Sequence, residues 1–166
     1  MRFMDIKPND VINGKGVMVS VWLAGCHHHC KDCFNPETWS FKAGEKFTND
    51  HLKYVLELLD KNGIKRDLSI LGGDPLAPEN IQGTIGLCSY IKLARPETTI
   101  YVWTGYTYEQ LLERYPKECF DKIDILIDGK FDVEQKDLTL LLRGSRNQRI
   151  IDVKKSKKDY VVEFTI

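Results

Sequence analysis

Residues 17–33 read VMVSVWLAGCHHHCKDC. Val17 to Leu23 is a short apolar, β-branched run that predicts a strand, and Gly25 ends it. The chain then enters a loop holding Cys26, Cys30 and Cys33, with His27, His28 and His29 between the first two cysteines. Soft metal ligands are therefore delivered at the C-terminal end of a strand. The fold turns on whether neighbouring segments bring further strand ends to the same edge.

They follow a repeating pattern. Thr48, Asn49 and Asp50 offer N-caps for a helix with Leu52, Val55, Leu56 and Leu59 on one stripe, and Gly63 follows its end. Asp67 to Leu71 predicts a second strand, stopped by Gly72 and Gly73. Pro78 and Glu79 open a helical stretch through Ile81, Ile85, Tyr90, Ile91 and Leu93, weakened in its first half by Gly83 and Gly86. Thr98 to Trp103 is a third strand, broken by Gly105. A short helix from Thr107 to Arg114 leads through Pro116 to a fourth strand at Ile123, Ile125 and Ile127. Strands alternating with helices imply parallel strands joined by crossovers, hence an α/β fold. Leu138–Leu142, Arg149–Val153 and Tyr160–Ile166 supply further strands or a C-terminal extension over about 138–166. At 166 residues, without repeats or a linker, the chain is expected to be one domain over 1–166.

Charge and composition exclude some functions. Twenty-four Lys and Arg balance twenty-four Asp and Glu, so no summed field would hold a nucleic-acid backbone or an anionic membrane. Basic residues cluster late, in Arg143, Arg146, Arg149, Lys154, Lys155, Lys157 and Lys158, as a local docking face or a solvated tail. No apolar run approaches the roughly 20 residues that span a bilayer, and the N-terminus lacks the layout of a signal peptide. A cytoplasmic protein is expected, with no nucleic-acid or membrane partner. In a reducing cytosol clustered cysteines point to metal or redox chemistry, while the isolated Cys88 and Cys119 read as small buried hydrophobes.

Each predicted strand ends in polar or charged residues beside glycine: Gly25-Cys26, Gly72-Gly73-Asp74-Pro75, Trp103-Thr104-Gly105-Tyr106 and Asp128-Gly129-Lys130. Ligands bind at the C-terminal edge of parallel strands, so these turns are expected to surround one site. Three chemistries suit the cysteine loop. A closed zinc site needs four ligands, and residues between ligands in so tight a loop tend to point outward. A dithiol at Cys30 and Cys33 leaves Cys26 unexplained. An iron–sulfur cluster uses all three thiolates and leaves one iron open to a ligand.

The C-x3-C-x2-C pattern after a first strand resembles the radical S-adenosylmethionine superfamily, and Gly72-Gly73-Asp74-Pro75 resembles its G-G-E-P stretch. Val11-Ile12-Asn13-Gly14 with Gly16, Cys33-Phe34-Asn35, Thr38-Trp39, Trp103 to Tyr106, Ile127 to Lys130, and Arg143-Gly144-Ser145 with Asn147-Gln148-Arg149 are similar to the activating components of anaerobic (class III) ribonucleotide reductases. This resemblance runs from about Asp10 to Arg149.

It implies a parallel-strand partial (βα) barrel with one open side. It also implies a [4Fe–4S] cluster on Cys26, Cys30 and Cys33, with S-adenosylmethionine on the open iron. The product is a 5′-deoxyadenosyl radical that makes a glycyl radical on the large reductase subunit. The resemblance further implies a low-potential electron donor such as flavodoxin. No side chain serves as acid or base.

By the same resemblance Gly72, Gly73 and Asp74 hold the methionine ammonium, and Asp128 and Lys130 lie near its carboxylate. Thr104 adds a hydroxyl, and Asn35 hydrogen-bonds around the sulfurs. Arg143, Arg146 and Arg149 lie at the docking surface or the cofactor periphery. Asp74 replaces the usual Glu. Asp32 stands where relatives carry an aromatic residue on the adenine, a role that passes to Phe34 or Tyr106. The histidines receive no role. The alternatives are activation of another glycyl-radical enzyme, or a non-catalytic zinc or electron-transfer module.

Overall fold

A computed structural model describes residues 1–166. Seven strands form one mixed sheet in the order β3-β1-β2-β4-β5-β6-β7. They are β1 (Arg2–Asp10), β2 (Met18–Leu23), β3 (Glu45–Lys46), β4 (Asp67–Gly72), β5 (Ile100–Trp103), β6 (Ile125–Asp128) and β7 (Arg149–Asp152). The helices are α1 (Asn49–Leu58), α2 (Ile81–Ala94) and α3 (Tyr108–Arg114). None is long and apolar enough to cross a membrane.

The parallel set expected from the alternation is present as β2, β4, β5 and β6, with Leu23 opposite Gly72 and Trp103 opposite Ile127. The sheet as a whole is not parallel, because β1 and β3 add antiparallel on one side and β7 on the other. Connection length explains the β1–β2 pair: a parallel return needs a crossover of a dozen or more residues, and residues 11–17 are too few. The β6–β7 connection, residues 129–148, is long enough but holds no α-helix, only a 3-10 turn at Val133–Gln135.

The sequence pattern alone does not reveal β1. Its alternation is interrupted by Pro8 and by irregular register between Phe3 and Asp5 and between Lys7 and Asp10. Leu138–Leu142 forms turns rather than a strand, and Tyr160–Ile166 pairs with the sheet through an isolated bridge from Glu163 to Ile151, with Val161 and Phe164 packed against the core. Leu93 lies off the buried stripe of α2, 86% exposed.

Side chains alternate across the sheet as a period of two requires. Val19, Val21, Leu23, Leu68, Ile70 and Val102 point to one face, where Val55, Leu58, Leu87, Ile91 and Leu111 from the three helices complete the main core. A smaller cluster of Met18, Tyr101, Ile125, Ile127 and Ile150 contains no helix residue. The helices therefore cover one face and leave loops to cover the other. Cys88 is buried within α2 and Cys119 is partly buried, as small hydrophobes would be.

Asp124 ties the parallel strands to the C-terminal region. Its carboxylate accepts from the Ile100 N–H at 2.8 Å and pairs with Lys92 at 2.7 Å and Lys154 at 2.6 Å. Burial raises its pKa, but the hydrogen bonds from Lys154, Lys92 and Ile100 outweigh burial and hold the carboxyl below its ordinary value.

Candidate active site

The C-terminal ends of β2 and β4 meet through glycine. Gly72 takes φ +111°, the Gly73 N–H donates to Leu23 at 2.9 Å, and the Asp74 N–H donates to Gly25 at 2.7 Å. A Cβ on Gly73 would fall 2.5 Å from the Gly25 carbonyl oxygen, so only glycine permits this approach. Beside the junction lies a cavity of about 470 Å³. Cys26, Cys30 and Cys33 line it, together with Gly72, Gly73, Trp103, Thr104 and Gly129. All four strand ends singled out in the sequence contribute to its wall.

The three thiols are free and partly exposed. Burial pushes Cys26 up to about 11; the Asp74 charge adds to this, and the backbone N–H groups of His28 and His29 oppose it. Burial also raises Cys30. The histidines are engaged elsewhere: His27 with Glu79 at 2.8 Å, His28 with Asp74 at 2.7 Å, and His29 stacked on Trp39 at 4.4 Å between centroids. No group of three or more Cys, His, Asp or Glu side chains is placed to share one metal ion. This disfavours mononuclear zinc. It suits a cluster, in which each thiolate binds a different iron. The donor set thus fits an iron–sulfur cluster with three protein ligands. The Asn35 N–H contributes a 3.4 Å contact to the Cys33 sulfur.

Asp74, expected to hold a cofactor ammonium, lies beneath the cavity wall. It is 1% exposed, and its oxygens are occupied. Oδ1 accepts from the Leu76 N–H at 2.9 Å and the Thr104 hydroxyl at 2.9 Å. Oδ2 accepts from the Gly105 N–H at 3.0 Å and lies 2.7 Å from His28 Nε2. A side chain one methylene shorter than Glu keeps the carboxylate beneath the wall, and the backbone of Gly72 and Gly73 faces the cavity instead. The Thr104 hydroxyl, expected to serve a cofactor, is spent on Asp74.

His28 corrects a second expectation, because it turns inward and lines the cavity. Its ring packs edge-on to Tyr106 at 4.5 Å, and a Cβ on Gly105 would come within 2.3 Å of it. No local spacing links positions 28, 74 and 105. The shortened carboxylate is the one trace of this arrangement in the sequence.

Asp128 and Lys130 do not meet at the cavity. Asp128 is buried, accepting from Arg149 Nε at 3.0 Å, Arg149 Nη2 at 2.6 Å and the Tyr108 N–H at 2.7 Å. Arg149 also grips Glu109, and the two carboxylates raise its pKa further. Arg149 is therefore a strut between β6, β7 and α3, not a docking residue. Lys130 opens on a separate shallow cleft beside Lys31. Phe34, 56% exposed at the cavity rim, packs on Phe131 at 5.1 Å between centroids. Tyr106 lies behind His28 and under Arg114, so of the two aromatics expected at the adenine only Phe34 lines the cavity.

Residues 12–151 match the family model described as a 4Fe-4S single cluster domain. The chain is 40% identical over 151 residues to the anaerobic ribonucleoside-triphosphate reductase-activating protein of Haemophilus influenzae, covering 90% of this chain and 97% of that one. It is 36% identical over 149 residues to the protein of that name from Escherichia coli, covering 89% and 96%. It is also 37% identical over 150 residues to the one from Enterobacteria phage T4, covering 90% and 93%.

Proposed function

This chain belongs to the family of anaerobic ribonucleoside-triphosphate reductase-activating proteins, and from that premise we propose that it is a radical S-adenosylmethionine enzyme that generates a glycyl radical on the large subunit of that reductase. The observation that carries this reading is that three cysteine thiols line one cavity at the ends of four parallel strands. When bound, the cluster and S-adenosylmethionine would supply one-electron chemistry able to remove a hydrogen atom from a glycine.

The chain's own residues bind and orient. Cys26, Cys30 and Cys33 hold the cluster, each losing a proton to do so. The Asn35 N–H steadies the Cys33 sulfur. Carbonyl groups of Gly72 and Gly73 take the methionine ammonium, the role left open by the occupied Asp74. Phe34 packs on the adenine. The mixed sheet serves as the curved wall of a partial barrel, and the face without helices admits the reductase's glycine loop, since hydrogen abstraction demands near contact. A low-potential protein such as flavodoxin supplies the electron, in the cytoplasm.

Electron paramagnetic resonance of the anaerobically reconstituted, reduced protein tests the reading. A [4Fe–4S]+ signal that changes on adding S-adenosylmethionine is expected, followed by a glycyl doublet when the reductase is added. A cluster signal indifferent to the cofactor would leave an electron carrier instead.

A further inference from the structure

Residues 138–148 supply Leu138, Leu142, Arg143 and Gln148 to the cavity wall, and Leu142 there has φ +61°, a left-handed conformation that a branched side chain adopts only under constraint. Its neighbours hold it. Trp103 Nε1, at the end of β5, donates to the Leu142 carbonyl at 2.7 Å. Gln148 joins the loop to the end of β6, donating to the Gly129 carbonyl at 2.9 Å and accepting from the Gly144 N–H at 2.9 Å. The residue presented by this arrangement is Arg143.

Arg143 lines the cavity, and its guanidinium makes one protein hydrogen bond, from Nη1 to the Gln148 carbonyl at 2.8 Å. Arg149 has two carboxylate partners, whereas Arg143 has none. Its Nε is buried without an acceptor. A cationic N–H held away from water with no acceptor is costly, and Nη2, which has no protein partner and is not among the buried nitrogens, is the group left for an anionic ligand. Arg143 is also the one Arg or Lys among the side chains that line this cavity.

We propose that Arg143 anchors a ligand carboxylate in this cavity. Resting on the cofactor reading above, that carboxylate is the one on the methionine end of S-adenosylmethionine. The planar guanidinium fork matches a carboxylate in two parallel hydrogen bonds, and the strained Leu142 and the Gln148 bridge set its direction. Lys130 lines the neighbouring cleft rather than this cavity, and its charge reaches Cys30.

The test is equilibrium binding to the reconstituted full chain of two ligands, S-adenosylmethionine and its decarboxylated form. Iron and sulfide contents confirm equal cluster loading of each variant. The preference of the native chain for the carboxylated ligand should shrink about ten- to a hundredfold in Arg143→Gln. It should persist in part in Arg143→Lys, which keeps the charge, and be unchanged in Lys130→Gln. An undiminished preference in Arg143→Gln, or a collapse in Lys130→Gln alone, would overturn the assignment while leaving the cofactor reading intact. Failure of the native, cluster-loaded chain to bind either ligand would overturn both. If Arg143→Gln does not load a cluster, Arg143→Lys decides, because full retention of the preference there alongside its loss in Lys130→Gln contradicts the proposal.

Discussion

His28 Nε2 and Asp74 Oδ2 lie 2.7 Å apart, with the Asp74 side chain buried and the His28 side chain 7% exposed, linking the middle of the cysteine loop to the turn after β4. Because Asp74 also accepts from Leu76, Thr104 and Gly105, one carboxylate holds the cysteine loop, the β4 turn and the β5 turn in register. Asp74→Ala would strand several buried donors at once. We expect a loss of about 3–5 kcal/mol in urea unfolding of the apo protein. Unchanged stability, with only cofactor binding weakened, would restore Asp74 as a direct ligand.

The ring of His28 occupies the space beside Gly105 that a side chain would need. Gly105→Ala should therefore cost about 1–3 kcal/mol. Combining it with His28→Ala should cost less than the sum of the two single changes, since the removed ring no longer opposes the new methyl. Strict additivity of the unfolding energies would show that the two positions do not press on each other.

Cysteine roles separate by place in the fold. Cys30→Ala should reduce bound iron and sulfide after reconstitution to near background. Cys88→Ala, within α2, should load normally and lose about 1 kcal/mol of stability as a small cavity opens. Full iron content in the Cys30 variant would remove that residue from the ligand set.

Acid unfolding should report on Asp124. Its carboxyl lies below the ordinary value in the folded protein, so its stabilising contribution is present above the unfolded pKa of about 3.9 and is lost as pH falls through the folded value. In Asp124→Asn the stability curve should flatten over that acid limb and lie below the native curve near neutrality. Parallel curves down to the lowest pH would assign the acid sensitivity to other carboxylates.

Much of this was legible in the sequence where one physical signal dominates. The apolar runs at Val19, Ile70, Val102 and Leu126 reveal the four parallel strands, because burial on both faces removes polar residues from them. The glycine-marked strand ends reveal the site. β1 was hidden, since an outer strand with Asp5, Lys7 and Pro8 lacks that signal. Loop spacing brings Cys26, Cys30 and Cys33 to one cavity wall, as the sequence leads one to expect. Placement was not legible where it depends on pairs distant in sequence: Asp74 with His28, Asp128 with Arg149. A carboxylate beside a glycine turn reads the same whether it faces a ligand or a buried partner.

The placement of all three helices on one face of the sheet has a mechanical consequence. Strand backbone under packed helices opens to solvent only in near-global unfolding, whereas loop segments with few buried contacts open locally. The cavity floor, formed by the ends of β4 and β5, should exchange its amide hydrogens among the slowest in the molecule, and the walls at residues 11–16 and 137–145 among the fastest. A stiff base with yielding sides lets the wall deform around an incoming polypeptide while the cysteine loop keeps its position.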